Sequence, residues 1–153
     1  MSVRESVAVG ALFGMTAGNI SVDDALKTAD KILKIVGLYE KRLEPAGKLT
    51  GPEKKLLELA RTIAMKPKLL LLDEVMAGMP PSEIDRLSKI VRDLAEEGVS
   101  TVSLVEHVMR TVAKIAVRAL VLYRGEIVIE GPVEEILRSD RLREIYLGAG
   151  RVP

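Results

Sequence analysis

Leu69-Leu70-Leu71-Leu72-Asp73-Glu74 sets four leucines in a row and closes them with two carboxylates. Pro67 bounds the run on its other side, so there is room for a short strand and not for a helix. A strand with no polar residue at alternate positions reads as one covered on both faces, the pattern of a parallel sheet. Toward the C-terminus, Pro80-Pro81 opens a helix with the stripe Ile84, Leu87, Ile90, Val91 and Leu94. Ser82 and Asp85 have the spacing of a cap, and Gly98 supplies the stop. Thr101 to Val105 is the next strand. Strand, helix and strand at this spacing make a βαβ unit, so the two strands should be parallel.

Toward the N-terminus, a helix should begin near Thr50 to Pro52, bury Leu56, Leu57, Leu59, Ala60, Ile63 and Ala64, and end by Pro67. Leu38 to Lys48 reads as a turn and loop. Ser21 and Asp24 cap a helix carrying Ala25, Leu26, Ala29, Ile32, Leu33 and Val36, which Gly37 stops. Residues 2–17 have the composition of one further helix. Beyond the second strand, Val108 to Ile115 is helical in pattern, and Leu120 to Tyr123 and Glu126 to Ile129 flank Arg124-Gly125 as a tight hairpin. Gly131-Pro132 should start a short helix through Leu137, and Asp140 should cap another ending at Tyr146-Leu147-Gly148. The expectation is an α/β fold: a helical subdomain over residues 1–64, then an α/β portion over residues 65–153, in one compact unit.

Composition narrows the function. The 153 residues suffice for one domain with a core, and that core must be aliphatic, since hydrophobic residues make up 48% and aromatics 3%. Charged residues make up 29% yet the net charge is +1, which gives no electrostatic reason to expect nucleic acid or an anionic membrane as main partner. So few aromatics also leave no stacking platform for single strands. The absence of cysteine excludes disulfides, thiolate metal sites and a cysteine nucleophile. Aliphatic runs such as Leu69 to Leu72 are far too short to cross a bilayer, and Met1 to Gly10, with Arg4 and Glu5, does not read as a secretory signal. A membrane role would have to come through a partner.

Three features stand in order. Leu49-Thr50-Gly51-Pro52-Glu53 lies at a helix N-terminus, where unpaired N–H groups and the positive end of the dipole can hold phosphate. Asp73-Glu74 ends a strand: an Asp there can orient Mg²⁺ through its water shell, and a neighbouring Glu can polarise an attacking water. Glu106-His107 follows the second strand, where the imidazole can contact a terminal phosphate. Carboxyl ends of parallel strands are where open α/β sheets bind ligands. Taken singly, each has a plainer reading: Asp73-Glu74 as a solvated strand end, His107 as structural, Thr50-Gly51-Pro52 as a helix start, and Lys54-Lys55 as a solvated face.

Taken together, they resemble the ABC ATPases. Leu69 to Glu74 is similar to the Walker B motif, Leu49 to Glu53 to the signature motif, Ala77-Gly78-Met79 to the D-loop, and His107 falls at the switch histidine. Met76-Ala77-Gly78-Met79 and the ending Tyr146-Leu147-Gly148 resemble the ATP-binding subunits of branched-chain amino-acid transporters. Ser2 to Val7 resembles the segment just after that family's Q-loop, so the likeness covers nearly the whole chain. It implies a partial P-loop-NTPase-like parallel sheet with flanking helices, preceded by the helical subdomain. It implies ATP and Mg²⁺, with Asp73 toward the metal, Glu74 and His107 as catalytic residues, and Thr50, Gly51, Glu53 and Gly78 toward nucleotide. A membrane permease subunit and a second ATP-binding subunit, or a second copy, are the implied partners. The implied location is cytoplasmic, at the inner face of the membrane through the permease.

The chain also departs from that pattern. No Gly, four residues, Gly-Lys-Ser/Thr occurs: Gly47-Lys48 is followed by Leu49, and Arg42 holds the place of the first glycine. The Q-loop glutamine and the adenine-stacking aromatic are not found either. Pro52 stands where the signature has a second glycine, Glu53 replaces the usual glutamine, and Val75 replaces the proline after Walker B. Val108 and Val117 stand where the family often has aspartates. The expectation is a later part of the domain, whether from a truncated product, a misassigned start or a split gene, that alone does not turn over ATP. A sheet without its phosphate-loop strand would close by rearrangement, dimerisation or pairing with an N-terminal piece. Two functions follow: a piece of an ATPase subunit that drives transport, or a non-catalytic interaction module that binds no nucleotide.

Overall fold

Ser2 and Ser21 open the first two helices in the same way. Ser2 Oγ accepts from the Glu5 N–H (3.2 Å), and the Glu5 carboxylate accepts from the Ser2 N–H (2.7 Å), at the head of α1 (Val3–Phe13). Ser21 Oγ accepts from the Asp24 N–H (3.1 Å) and its hydroxyl donates to the Asp24 carboxylate (2.6 Å), opening α2 (Val22–Val36). Gly37 ends α2 at φ 68°, and the Leu38 N–H reaches back to the Leu33 carbonyl (2.8 Å). The computed structural model describes residues 1–14, 20–97 and 101–146. The last residues of the helix expected over 2–17, Gly98 as a stop, and Leu147-Gly148 lie outside the described residues.

Two short 3-10 turns, Tyr39–Lys41 and Ala46–Lys48, fill the stretch read as a loop. Helix α3 (Gly51–Ala64) follows, and Lys66 at φ 51° turns the chain out of it ahead of Pro67. Helices α1, α2 and α3 pack together around Val3, Val7, Ala29, Leu33, Val36, Leu56 and Ala60, all buried. Gly10 permits the approach of α1 to α3, because a Cβ there would stand 2.5 Å from the Arg61 carbonyl oxygen.

Strand β1 (Leu69–Asp73) pairs in parallel with β2 (Thr101–Val105), from Leu69 opposite Thr101 to Asp73 opposite Val105, with α4 (Pro81–Glu97) as the crossover. The βαβ unit is therefore as read. Within α4, Leu87, Ile90 and Val91 are buried as expected. The Pro80 carbonyl accepts the first helical bonds, so Ser82 lies inside the first turn and not at the cap. β1 corrects the expectation of two covered faces: Leu70 and Leu72 are 2% and 7% exposed, but Leu69 and Leu71 are 53% and 69% exposed. A single crossover supplies a helix to one face of a strand pair, and the other face of β1 stays open.

The chain divides into two compact units, Met1–Val105 and Glu106–Pro153. The second holds α5 (Met109–Ile115), the antiparallel pair β3 (Arg118–Tyr123) and β4 (Glu126–Pro132), α6 (Val133–Arg138) and α7 (Asp140–Tyr146). Arg124 at φ 51° and Gly125 at φ 87° make the two-residue turn of the hairpin. Two boundaries move. Gly131 and Pro132 complete β4, and α6 itself begins at Val133 with Pro132 as its N-cap. Ser139 and not Asp140 caps α7, with Ser139 Oγ accepting from the Leu142 N–H (3.2 Å); the Asp140 carboxylate instead pairs with Arg143 (3.1 Å).

Candidate functional site

Thr50 and Glu53 hold each other at the head of α3. The Glu53 carboxylate accepts from the Thr50 N–H and from the Thr50 hydroxyl, both at 3.0 Å, and pairs with Lys41 Nζ at 2.7 Å. The Lys41 ammonium, and after it the Thr50 N–H, hold the Glu53 carboxyl below the usual range, and Glu53 in turn raises Lys41. Thr50 and Gly51 are exposed, and Pro52, on the first turn, has no N–H to offer. The negative charge of Glu53 is thus balanced by Lys41 and spent on the helix cap. Lys41 comes from the preceding 3-10 turn, a proximity that linear spacing does not reveal.

Asp73 is the last residue of β1 and exposed. Glu74 follows at φ 45°, its N–H still bonded to the Val105 carbonyl (3.0 Å), which extends the parallel ladder by one step. A left-handed glutamate costs about 1 kcal/mol, and such strain gathers at functional sites. Two tight turns follow: the Ala77 N–H donates to the Glu74 carbonyl (3.1 Å) and the Met79 N–H to the Met76 carbonyl (3.1 Å), with Gly78 at φ 74°. Met76 and Met79 are buried while Ala77 and Gly78 are exposed, so the methionines anchor a segment whose small residues face out. Lys55 was read as part of a solvated face, and the structure corrects this: its ammonium donates to the Ala77 carbonyl (2.7 Å) and the Glu74 carbonyl (3.3 Å).

His107 is exposed and stands two residues past the end of β2, at the start of the second unit. Asp73 and Val105, the last residues of β1 and β2, stand opposite each other in the parallel register, so Asp73-Glu74 lies at the carboxyl end of the first unit's strand pair. Among the described residues no group of three or more histidines and carboxylates is placed to form a protein cage for a metal. One exposed carboxylate such as Asp73 suits Mg²⁺, which keeps most of its waters and binds chiefly through substrate phosphates.

A parallel strand pair with acids at its carboxyl end, behind a capped helix at Thr50-Gly51, is the architecture of an ATP-binding cassette. The chain belongs to the ABC transporter family, whose profile matches residues 1–77. It is similar to the high-affinity branched-chain amino acid transport ATP-binding protein BraG of Pseudomonas aeruginosa, 36% identical over 149 residues, which covers 97% of this chain and 61% of that protein. It is also similar to the energy-coupling factor transporter ATP-binding protein EcfA2 of Clostridium tetani, 34% identical over 152 residues, covering 97% of this chain and 53% of that one. A solved ATP-binding cassette of an ABC transporter, in its ADP conformation, superposes with a TM-score of 0.79 at 25% identity over 97% of this chain and 63% of its own. The α/β fold with a parallel sheet and flanking helices is that of the cassette. The chain spans 53% to 61% of the length of these two relatives. Among the described residues no helix is long and apolar enough to cross a membrane.

Proposed function

We propose that these residues form the later part of an ABC transporter ATP-binding subunit of the branched-chain amino-acid type, and supply its signature, Walker B and switch-histidine elements. The observation that carries the reading is the placement of Asp73-Glu74 at the carboxyl end of a parallel strand pair, with the strained Glu74 at the turn. Mg²⁺ bound with ATP supplies charge neutralisation for phosphoryl transfer. Asp73 would help to hold that ion, Glu74 would take the proton of the water that attacks the terminal phosphorus as ADP leaves, and His107 would donate to the terminal phosphate oxygens. Thr50, Gly51, Glu53 and Gly78 meet the nucleotide of a second ATP-binding subunit or a second copy. A phosphate loop comes from a segment outside these 153 residues, on this polypeptide or another. The helical residues 1–64 dock on a membrane permease, which holds the subunit at the cytoplasmic face, and residues 65–153 carry the chemistry. The groove of about 350 Å³ lined by Ala8, Val9, Leu12, Val22, Leu26 and Leu43, together with Ser2, Arg4 and Glu5, gives that docking a mainly apolar seat.

A second reading, a non-catalytic interaction module, has its own observation. Glu53 already takes both donors of Thr50, and Pro52 offers none, so the head of α3 has less to give a phosphate. Mg²⁺-ATP binding and hydrolysis, measured on the 153-residue chain and on an assembly containing a phosphate loop, separate the two. The first reading expects no turnover by the chain alone and turnover in the assembly. That turnover is lost in Glu74→Gln while nucleotide stays bound, and weakened in Thr50→Ala. No nucleotide binding in either setting establishes the second. Uptake of labelled leucine, dependent on this chain, tests the transporter type.

A further inference from the structure

We propose that Lys55 is a positioning residue, an intramolecular clamp that fixes the backbone of the turn bearing Glu74 and couples it to the head of α3. The inference rests on the reading of Glu74 as the carboxylate that acts on water. Lys55 Nζ donates to two carbonyls of one turn, Ala77 at 2.7 Å and Glu74 at 3.3 Å. The Glu74 carbonyl also accepts the Ala77 N–H, so the ammonium closes a loop whose two ends already meet. Orienting a carbonyl orients its whole peptide plane. Lys55 therefore sets the planes on the C-terminal side of Glu74 and of Ala77, while the Glu74 N–H on Val105 sets the plane before it. With both planes held, the left-handed φ of Glu74 persists, and its side chain has one direction of departure.

The clamp adds a charged donor to an exposed segment that backbone bonds and two methionines also hold. Asp73, Glu74, Ala77 and Gly78 are exposed, and the segment's buried anchors, Met76 and Met79, fix its apolar side and not its carbonyls. Lys55 lies five residues after Thr50 on the same helix, about 7.5 Å along its axis. A shift of the helix head is therefore passed, through one rigid element and one side chain, to the turn at Glu74. The compact ammonium, with three donors, suits two converging carbonyls, and a guanidinium with its several N–H groups can serve the same pair. Lys54, its neighbour, is exposed and gives a matched control.

The test compares Lys55→Met, Lys55→Arg and Lys54→Met in the full-length protein. Amide hydrogen exchange at Ala77 and Met79, read without nucleotide, should speed up at least about tenfold in Lys55→Met, the factor that the shorter of the two lost charge-assisted hydrogen bonds supplies alone. Lys55→Arg and Lys54→Met should stay near wild type. In the hydrolysing assembly, kcat should fall about tenfold in Lys55→Met with the nucleotide Kd unchanged, and recover in Lys55→Arg. Unchanged exchange in Lys55→Met overturns the clamp. Faster exchange with kcat unchanged overturns its bearing on catalysis. If the wild-type assembly hydrolyses no ATP, the reading of Glu74 fails, and the exchange result alone decides whether Lys55 holds the turn.

Discussion

Replacing Glu53 separates what the head of α3 needs for folding from what it owes to charge. In Glu53→Ala the Thr50 N–H and hydroxyl lose the acceptor they share, and Lys41 loses its partner. Loss of a capping interaction of this kind costs about 1 kcal/mol. With a urea dependence of about 2 kcal/mol per molar, the unfolding midpoint should fall by roughly 0.5 M. Glu53→Gln keeps an oxygen acceptor and loses only the ion pair, which is partly open to water, so its midpoint should fall by no more than about 0.2 M. The two variants also differ in pH dependence. The Glu53 carboxyl is lowered in the folded state, chiefly by Lys41, so its contribution is present above the unfolded value of about 4.3 and is lost as pH falls through the lower folded value. Lys41 is raised, so its contribution is present below the unfolded value of about 10.4 and is lost as pH rises through the higher folded value. Glu53→Gln should flatten both limbs. Urea titrations followed by circular dichroism from pH 3 to pH 11 measure this. A glutamine variant as unstable as the alanine variant, or with the wild-type acid limb, refutes the reasoning.

Gly10→Ala should destabilise by about 1–3 kcal/mol, since the new methyl meets the Arg61 carbonyl oxygen at 2.5 Å and backbone must move; thermal unfolding reads it. Leu70→Ala should cost about 2–5 kcal/mol and Leu71→Ala less than about 0.5 kcal/mol in the 153-residue chain, because the first is buried and the second open; equal costs would show that the facing of β1 is wrong.

Where a residue's role is local, it could be read in advance. Ser21 caps α2 and Gly37 ends it, and Arg124-Gly125 turns the hairpin, because caps and tight turns are written within four residues. Leu69 to Leu72 failed in one respect for a plain reason: four identical side chains carry no mark of which face is covered. Ser139 was passed over for Asp140, since adjacent residues of similar capping strength differ only in where the helix begins. Asp73, Glu74 and His107 stand out in the sequence by their place after apolar runs, and the structure puts Asp73 at a strand end and the other two just beyond one. Lys41 and Lys55 were not found, because each reaches across space to another element, 12 and 19 residues away in the chain, and a lysine on a helix or turn gives no sign of its target.

The close passage of α1 over α3 has a mechanical meaning. At Gly10 an added methyl would stand 2.5 Å from the Arg61 carbonyl oxygen, and at Gly14 an added methyl would stand 2.4 Å from Met65 Cα. At these two points α1 meets chiefly the main chain of α3 and its end, with the Ala64 Cβ beside Gly10, and not the far end of a flexible side chain. A push on α1 is passed to α3 there directly, as through a strut.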